Sequence, residues 1–471
     1  MRYAAALCRH TAPTSCEREY FVTRRILLVT HHFPPSTVAA SFRPLRLAKY
    51  LPELGYKVWV VSATRGSYPR GRTDSKLTNE IPTSAHVTRI PNLNPLLWYE
   101  RRASARKASA EASATAARRR HSEHGEESRG SLAALRMTMA ELAKFPDIDA
   151  PWAAASLVPA LYLVLRNRID VIYSSAPPFG AHLLGLALKK ITGRPWIAHY
   201  GNPWTANPSI SWNRAVFRRG CESLDRAIVR RADAVLVLDE ILADCIRDLG
   251  RSERVYVHPN GFDPAHFSPT DMPSGKFTTT YAGSLYNMHD PSVIYDALSL
   301  IERDDPAARA DMRVVFAGPP QDDPLRAGAP RDIEFPGPLG HAELARQLND
   351  SHLLLEFLTA SAGQKFTVPC KLYEYMAARR PILAVTPEGP LSDEVRRLDL
   401  GKVASCDDPA AVARAMMEFY SAYKAGRLRA PNNAGIDGYS APNQAREFAR
   451  VVEEVCSGQS REPVGVCGRS Q

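Results

Sequence analysis

No part of the chain carries the roughly 18 to 20 uninterrupted apolar residues that a bilayer-spanning helix needs. The longest apolar stretch, Pro151 to Leu165, stops at Arg166, so a transmembrane anchor is not expected. GxGxxG and Walker-type phosphate loops are also missing, which counts against nicotinamide dehydrogenases and P-loop enzymes. The eight cysteines include no CxxC pair, and no histidine stands at metal-ligand spacing. They read as reduced packing residues of a cytosolic protein, with no metal site. The apolar run Tyr3 to Cys8, between Arg2 and Arg9, is short for a signal-peptide core. Residues 1–24 read as a disordered segment or an extension ahead of the first strand.

What is present is enough for two packed interiors. The chain has 471 residues, 45% of them hydrophobic and 23% charged, which fits two domains of roughly 200 residues and excludes a wholly disordered protein. The formal net charge of +10 raises the question of nucleic acid. However, residues 1–25 hold five arginines against two glutamates, and residues 101–136 hold nine lysines and arginines against four glutamates. Most of the excess therefore lies in two ragged segments, and a basic face built into the fold is not expected. The tracts are either solvated or drawn to anionic surfaces such as lipid headgroups.

Apolar periodicity places strands at 26–30, 58–62 and 86–90, with a helical pattern between the first two. An Ala/Arg/Ser/Glu-rich stretch, 101–136, interrupts the pattern as a low-complexity insertion. Alternation resumes with strands at 171–174, 196–200, 234–238 and 255–258 and helices at 153–165, 181–191 and 215–230. Asn260-Gly261 and Pro264 break it. A second series follows, with strands at 279–283, 313–317, 353–357 and 382–385 and helices at 292–301, 342–348, 371–378 and 410–423. This alternation predicts an α/β protein of two Rossmann-like, doubly wound domains. The expected boundaries are 25–260 for the first domain and 261–430 for the second. Residues 431–456 read as a linker and a helix (441–455) packing back on the first domain, and 457–471 as a loose tail.

In such sheets ligands bind beyond the carboxyl ends of strands, where helix amino termini offer free N–H groups. After the first strand, Pro35, Ser36 and Thr37 open a loop of small residues suited to an anion, or simply a capped turn. In the second series, Gly283-Ser284-Leu285 follows the first strand, and Gly283 permits a tight turn beside a ligand. Further on, Gly363 to Ala378 is a polar loop, with Lys365 and Pro369, entering a helix that carries Lys371 and Glu374 on one face. The lysine and loop amides suit a phosphate, and the carboxylate suits a ribose diol. Spacing alone favours an i,i+3 surface pair.

The order and spacing of several motifs resemble the retaining, nucleotide-sugar-dependent glycosyltransferases of the two-domain GT-B fold, specifically the family 4 type with a family 4-like amino-terminal domain. The carriers run through residues 25–455. They are Phe33-Pro34-Pro35 with Arg43, Leu54-Gly55-Tyr56-Lys57-Val58, Pro146-Asp147 with Trp152, and Ser174-Ser175-Ala176-Pro177-Pro178. Asn202-Pro203-Trp204-Thr205, Asn260-Gly261-Phe262-Asp263, Ala282-Gly283-Ser284-Leu285-Tyr286 and Lys371-Leu372-Tyr373-Glu374-Tyr375-Met376-Ala377 complete the set.

The resemblance implies two domains facing across a cleft, with the donor held by the second and the acceptor by the first. It also implies transfer without an obligatory metal or resident cofactor, the nucleotide sugar being a co-substrate. Glu374 matches the second glutamate of the family's Glu-x7-Glu signature and becomes a donor-ribose ligand; Phe366 replaces the first. Gly283, Ser284, Leu285, Lys365, Pro369 and Lys371 fall on the donor side, and Pro35, Ser36, Thr37, Arg43 and Asn202 on the acceptor side. His199, Lys371 and Glu374 are the catalytic candidates, with a packing or capping histidine as the competing reading of His199.

Two departures stand out: His199-Tyr200-Gly201-Asn202 replaces a more charged family loop, and His289 precedes Asp290-Pro291 where relatives often place arginine. Retention in the family is explained by front-face attack, the departing diphosphate deprotonating the acceptor, so the protein supplies charge stabilisation. Relatives build surface polysaccharides on lipid carriers. The expectation is therefore a cytoplasmic enzyme, peripheral to the inner face of the plasma membrane, acting on a saccharide or lipid-linked saccharide and not on nucleic acid. A nucleotide-sugar 2-epimerase, or a silent nucleotide-sugar-binding scaffold, is the alternative.

Overall fold

A computed structural model describes residues 23–68, 72–94, 141–142, 144–207, 210, 212, 214–250, 253–267, 271–283, 285, 289–320, 323–326, 328–359, 368–431 and 435–458. The expected insertion 101–136, Ser284, Lys365, and almost all of the two expected end segments lie outside these residues. The chain forms two compact units, Pro259–Ala445 and, among described residues, 23–258 with 446–458.

The amino-terminal unit is built on seven parallel strands: β1 (Arg25–Thr30), β2 (Lys57–Ala63), β3 (His86–Ile90), β4 (Val171–Ala176), β5 (Trp196–Tyr200), β6 (Ala234–Val237) and β7 (Val255–Val257), in the order β3-β2-β1-β4-β5-β6-β7. Its helices are α1 (Phe42–Tyr50), α2 (Ala150–Arg166), α3 (Gly180–Thr192), α4 (Ala215–Arg231) and α5 (Glu240–Asp248). Strands β1 and β4 are buried along almost their whole length because helices cover both faces. One face packs Trp152, Leu184 and Trp196, and the other packs Leu45, Tyr173 and Phe448.

Several motif residues act here as braces. Asp147 accepts hydrogen bonds from the amides of Asp149 (2.7 Å) and Phe179 (2.8 Å), tying the start of α2 to that of α3. Trp204 stacks on Phe179 at 4.8 Å, and Asp225 accepts from the hydroxyls of Tyr200 and Thr205, both at 2.8 Å. Ser174 accepts from Trp196 Nε1 at 2.8 Å, and Gly185 leaves room for that indole.

The carboxy-terminal unit has six parallel strands: β8 (Phe277–Ala282), β9 (Met312–Ala317), β10 (Glu334–Gly337), β11 (Leu353–Phe357), β12 (Ile382–Val385) and β13 (Gly401–Ala404), in the order β10-β9-β8-β11-β12-β13. The helices are α6 (Ser292–Asp304), α7 (Pro306–Ala310), α8 (His341–Asn349), α9 (Cys370–Ala378), α10 (Pro390–Arg397) and α11 (Pro409–Lys424). Both sheets reverse direction after their first strand, so the switch points fall between β1 and β4 and between β8 and β11.

The final helix, α12 (Ala441–Ser457), starts in one unit and ends in the other. Phe448, Ala449 and Val452 pack on the amino-terminal sheet, and Arg24 pairs with Glu453. The segment ahead of it stays with the carboxy-terminal unit. Phe262 and Ser440 form a bridge, and Tyr439 donates to Glu394 and accepts from Arg397. A side chain at Gly261 would collide with the Tyr439 carbonyl, which accounts for the glycine in Asn260-Gly261-Phe262-Asp263.

Candidate functional site

At the carboxy-terminal switch point the sequence builds a charged floor. Along α9, Leu372, Tyr373, Tyr375 and Met376 are buried, so the intervening positions Lys371 and Glu374 share the opposite face. Tyr375 fixes the helix: its hydroxyl accepts from the Ala282 amide at 2.8 Å and donates to the Leu355 carbonyl at 3.1 Å, linking the ends of β8 and β11. The helix is preceded by Pro369 and has no side-chain cap; the Leu372 amide donates to the Pro369 carbonyl at 3.1 Å.

Lys371 reaches back over the sheet. Its Nζ lies 4.1 Å from the Tyr281 ring centre, donates to the Tyr281 hydroxyl at 2.8 Å and stands 3.3 Å from Glu356 Oε1. Gly283 follows β8 with φ 140°, and a β-carbon there would sit 3.2 Å from Lys371 Nζ. Gly318, at φ 126°, lies against the Gly283 backbone, whose amide donates to Ala317 at 2.7 Å. Two glycines thus let the backbone crowd the ammonium group.

Glu356 and His289 lie beneath. Glu356 is fully buried at the end of β11, and His289 Nε2 is 3.9 Å from it. Burial raises the Glu356 carboxyl to about 7 despite Lys371. Burial, reinforced by Lys371, lowers His289 to about 3, so that imidazole is neutral. Burial also lowers Lys371, with Glu356 opposing.

Of the donor-side candidates, Gly283, Pro369 and Lys371 come together at this end of the unit, and Glu374 stands one turn along α9, partly exposed and making no hydrogen bond among the described residues. Leu285 is a core residue. Sequence reasoning missed Glu356, Tyr281, Tyr375 and Gly318. The signal for Glu356 was a lone charge inside Leu353-Leu354-Leu355-Glu356-Phe357.

The amino-terminal switch point centres on a neutral imidazole beside a buried arginine. His199 is 4% exposed, with Nδ1 3.1 Å from Ser175 Oγ and its ring stacked on Tyr173; its Nε2 meets no partner among the described residues. Burial, with the Arg43 charge next, holds His199 well below its usual range. Arg43 itself is buried, bonding the ring and, at 2.9 Å, the carbonyl of His258. Pro35 and Ser36 are buried, and Ser36 lies 3.3 Å from His32 Nδ1, while Thr37 donates its amide to Arg72. Asn202 is exposed. His31, at 3.4 Å from Asp149 and edge-on to Trp152, is a buried brace. His258 was read only as a strand residue.

Two family models match in tandem: Glycosyltransferase Family 4 over residues 116–266 and Glycosyl transferases group 1 over residues 276–422. The chain belongs to the two-domain glycosyltransferases.

This glycosyltransferase has the pair of Rossmann-like domains found in GT-B enzymes. Among solved structures, it matches a sucrose-phosphate synthase from Thermosynechococcus elongatus at 13% identity and a TM-score of 0.59, covering 93% of this chain and 100% of that one. It matches Anabaena HepE, solved in complex with UDP, at 14% identity and 0.56, covering 92% and 100%. A putative UDP-N-acetylglucosamine 2-epimerase from Listeria monocytogenes also matches, at 12% and 0.53, covering 93% and 98%. At such identities the likeness is one of fold. No curated protein sequence matches the glycosyltransferase significantly. The family models indicate transfer from a nucleotide sugar.

Proposed function

We propose that the enzyme transfers a sugar, with retention and without a metal ion, from a nucleoside diphosphate sugar held by the carboxy-terminal unit to a hydroxyl of a saccharide acceptor. The observation that carries this reading is the Lys371 ammonium held against the side-chain-free Gly283 at the β8/β11 switch point, with the start of α9 beside it. Lys371 supplies positive charge where a diphosphate leaves, and the missing side chain at Gly283 leaves room for the group beside it. Glu374, half-buried and without a hydrogen bond among the described residues, supplies two acceptor oxygens for a ribose diol. His199 Nε2 serves as a neutral hydrogen-bonding group on the acceptor side.

A lipid-linked acceptor and a peripheral position on the cytoplasmic membrane face complete the proposal. In support, α2 presents Val158, Tyr162 and Leu165 at 75%, 62% and 65% exposure, spaced to share one face. Neither α2 nor α3, packed together, contains an acidic residue, and exposed Arg166 and Lys190 lie at their carboxyl ends. Among the described residues no helix is long and apolar enough to cross a membrane.

The test is release of nucleoside diphosphate from UDP-, GDP- and TDP-sugars with a lipid-linked acceptor present, with and without EDTA, and product anomer assignment by NMR. Inversion, or loss of turnover in EDTA, defeats the corresponding part. Donor binding without turnover points to a scaffold, and a changed sugar in place of transfer points to an epimerase.

A further inference from the structure

The Glu356 carboxylate is a poor structural element. It is fully buried, and neither oxygen accepts a hydrogen bond among the described residues. The groups facing it are Lys371 from α9 at 3.3 Å, His289 ahead of α6 at 3.9 Å, and Tyr375, whose hydroxyl is committed to Ala282 and Leu355. Tyr281 from β8 faces the ammonium, and Glu374 acts on it from one turn along α9. A buried carboxylate is normally held by several donors; this one has a single cation. That cation lies at the rim, its side chain 16% exposed where Glu356 is 0% exposed. The Tyr281 ring and hydroxyl also hold the ammonium, so Glu356 is not its sole partner.

We propose that Glu356 is a positioning residue for Lys371 that competes with the donor: it holds the ammonium in the empty site, yields it to the diphosphate, and takes one proton from water as it does so. The inference rests on the reading that Lys371 meets the diphosphate. Once the ammonium turns outward, an ionised Glu356 would be buried without a counter-charge, and protonation removes that penalty. The balance is one solvent proton taken up, forming one O–H bond on Glu356, per donor bound. A carboxyl already near neutrality in its ease of protonation fits this exchange. His289, kept neutral by burial, is the other group that could receive the proton.

Calorimetric titration of the full chain with UDP-glucose, UDP-N-acetylglucosamine and GDP-mannose tests this, because a diphosphate diester lacks the ionisation at about pH 6 that a phosphate monoester has. Buffers of differing ionisation enthalpy report the protons taken up. The expected result is uptake approaching one proton above neutral pH and affinity falling up to about tenfold per pH unit there. Glu356→Gln is expected to bind donor more tightly than wild type at alkaline pH and to lose that dependence. Weaker binding by a folded Glu356→Gln, a flat wild-type profile, or uptake that disappears in His289→Gln instead would overturn the assignment. Unchanged affinity in Lys371→Met, or failure of the wild type to bind any of the three sugars, would instead sink the underlying donor reading.

Discussion

The two switch points share a strand order but differ in charge. The carboxy-terminal one sets Lys371 over a buried carboxylate, and the amino-terminal one surrounds His199 with Tyr173 and Ser175 and holds its imidazole neutral. One end points a lysine at an incoming anion; the other offers a neutral imidazole, its nearby Arg43 being committed to His258. The topology fixes where ligands meet each sheet, and the buried side chains beneath decide which chemistry is met.

The contrast should appear most strongly in the dependence of stability on pH. His182 is fully buried, 2.8 Å from Ser174, and burial lowers it to about 3. The unfolded chain binds this proton first, so its contribution is complete above about 6.5 and is lost as pH falls toward 3, roughly 5 kcal/mol in all. Glu356 has the opposite sign. The folded chain keeps its proton up to about 7 while the unfolded chain loses it from about 4.5, so stability falls by roughly 3 kcal/mol as pH rises through that window. Denaturant unfolding across pH is expected to show His182→Gln with a shallower acid loss and Glu356→Gln gaining relative to wild type toward neutral pH. Slopes of equal sign would erase the comparison.

Next in size is Lys371→Met. Losing a charge-assisted contact is expected to weaken nucleotide-sugar binding by about 2 to 3 kcal/mol. The fold should survive, because Glu356 can neutralise by protonation. Calorimetry and thermal melting check the two halves; a large melting loss with intact affinity would make Lys371 structural.

How legible was this contrast in the sequence? Strands buried on both faces, such as Leu27 to Val29 and Leu353 to Leu355, announce themselves as apolar runs. The edges do not. Glu334–Gly337, with proline inside, and Gly401–Ala404, with a lysine, are short edge strands whose exposed residues break the pattern, so β10 and β13 were missed. That Lys371 and Glu374 share a helix face was legible from their i,i+3 spacing, while their assignment to a donor site came from the family resemblance. Glu356 was not, because a strand residue's partner depends on which helix crosses above it, and Tyr375 sets that crossing by bonding to Leu355 and Ala282.

Glu374→Ala tests the carboxylate that the floor leaves uncommitted. Removing acceptors for a ribose diol is expected to cost about 1 to 3 kcal/mol of donor affinity. Since Glu374 makes no hydrogen bond among the described residues, the melting temperature should hardly move. Unchanged affinity in a folded variant removes it from the site and leaves the anion end to Lys371 and the backbone.

The smallest expected effect belongs to the neutral end. Ser175→Ala removes the hydroxyl 3.1 Å from His199 Nδ1, leaving a buried ring nitrogen without that partner. The loss should be about 1 kcal/mol of stability. Donor affinity should be untouched, since no charge changes, whereas turnover should fall if Ser175 fixes which His199 nitrogen carries the proton. A drop in donor affinity matching that of Glu374→Ala would mean that donor binding draws on both ends, and the division of labour between them would have to be redrawn.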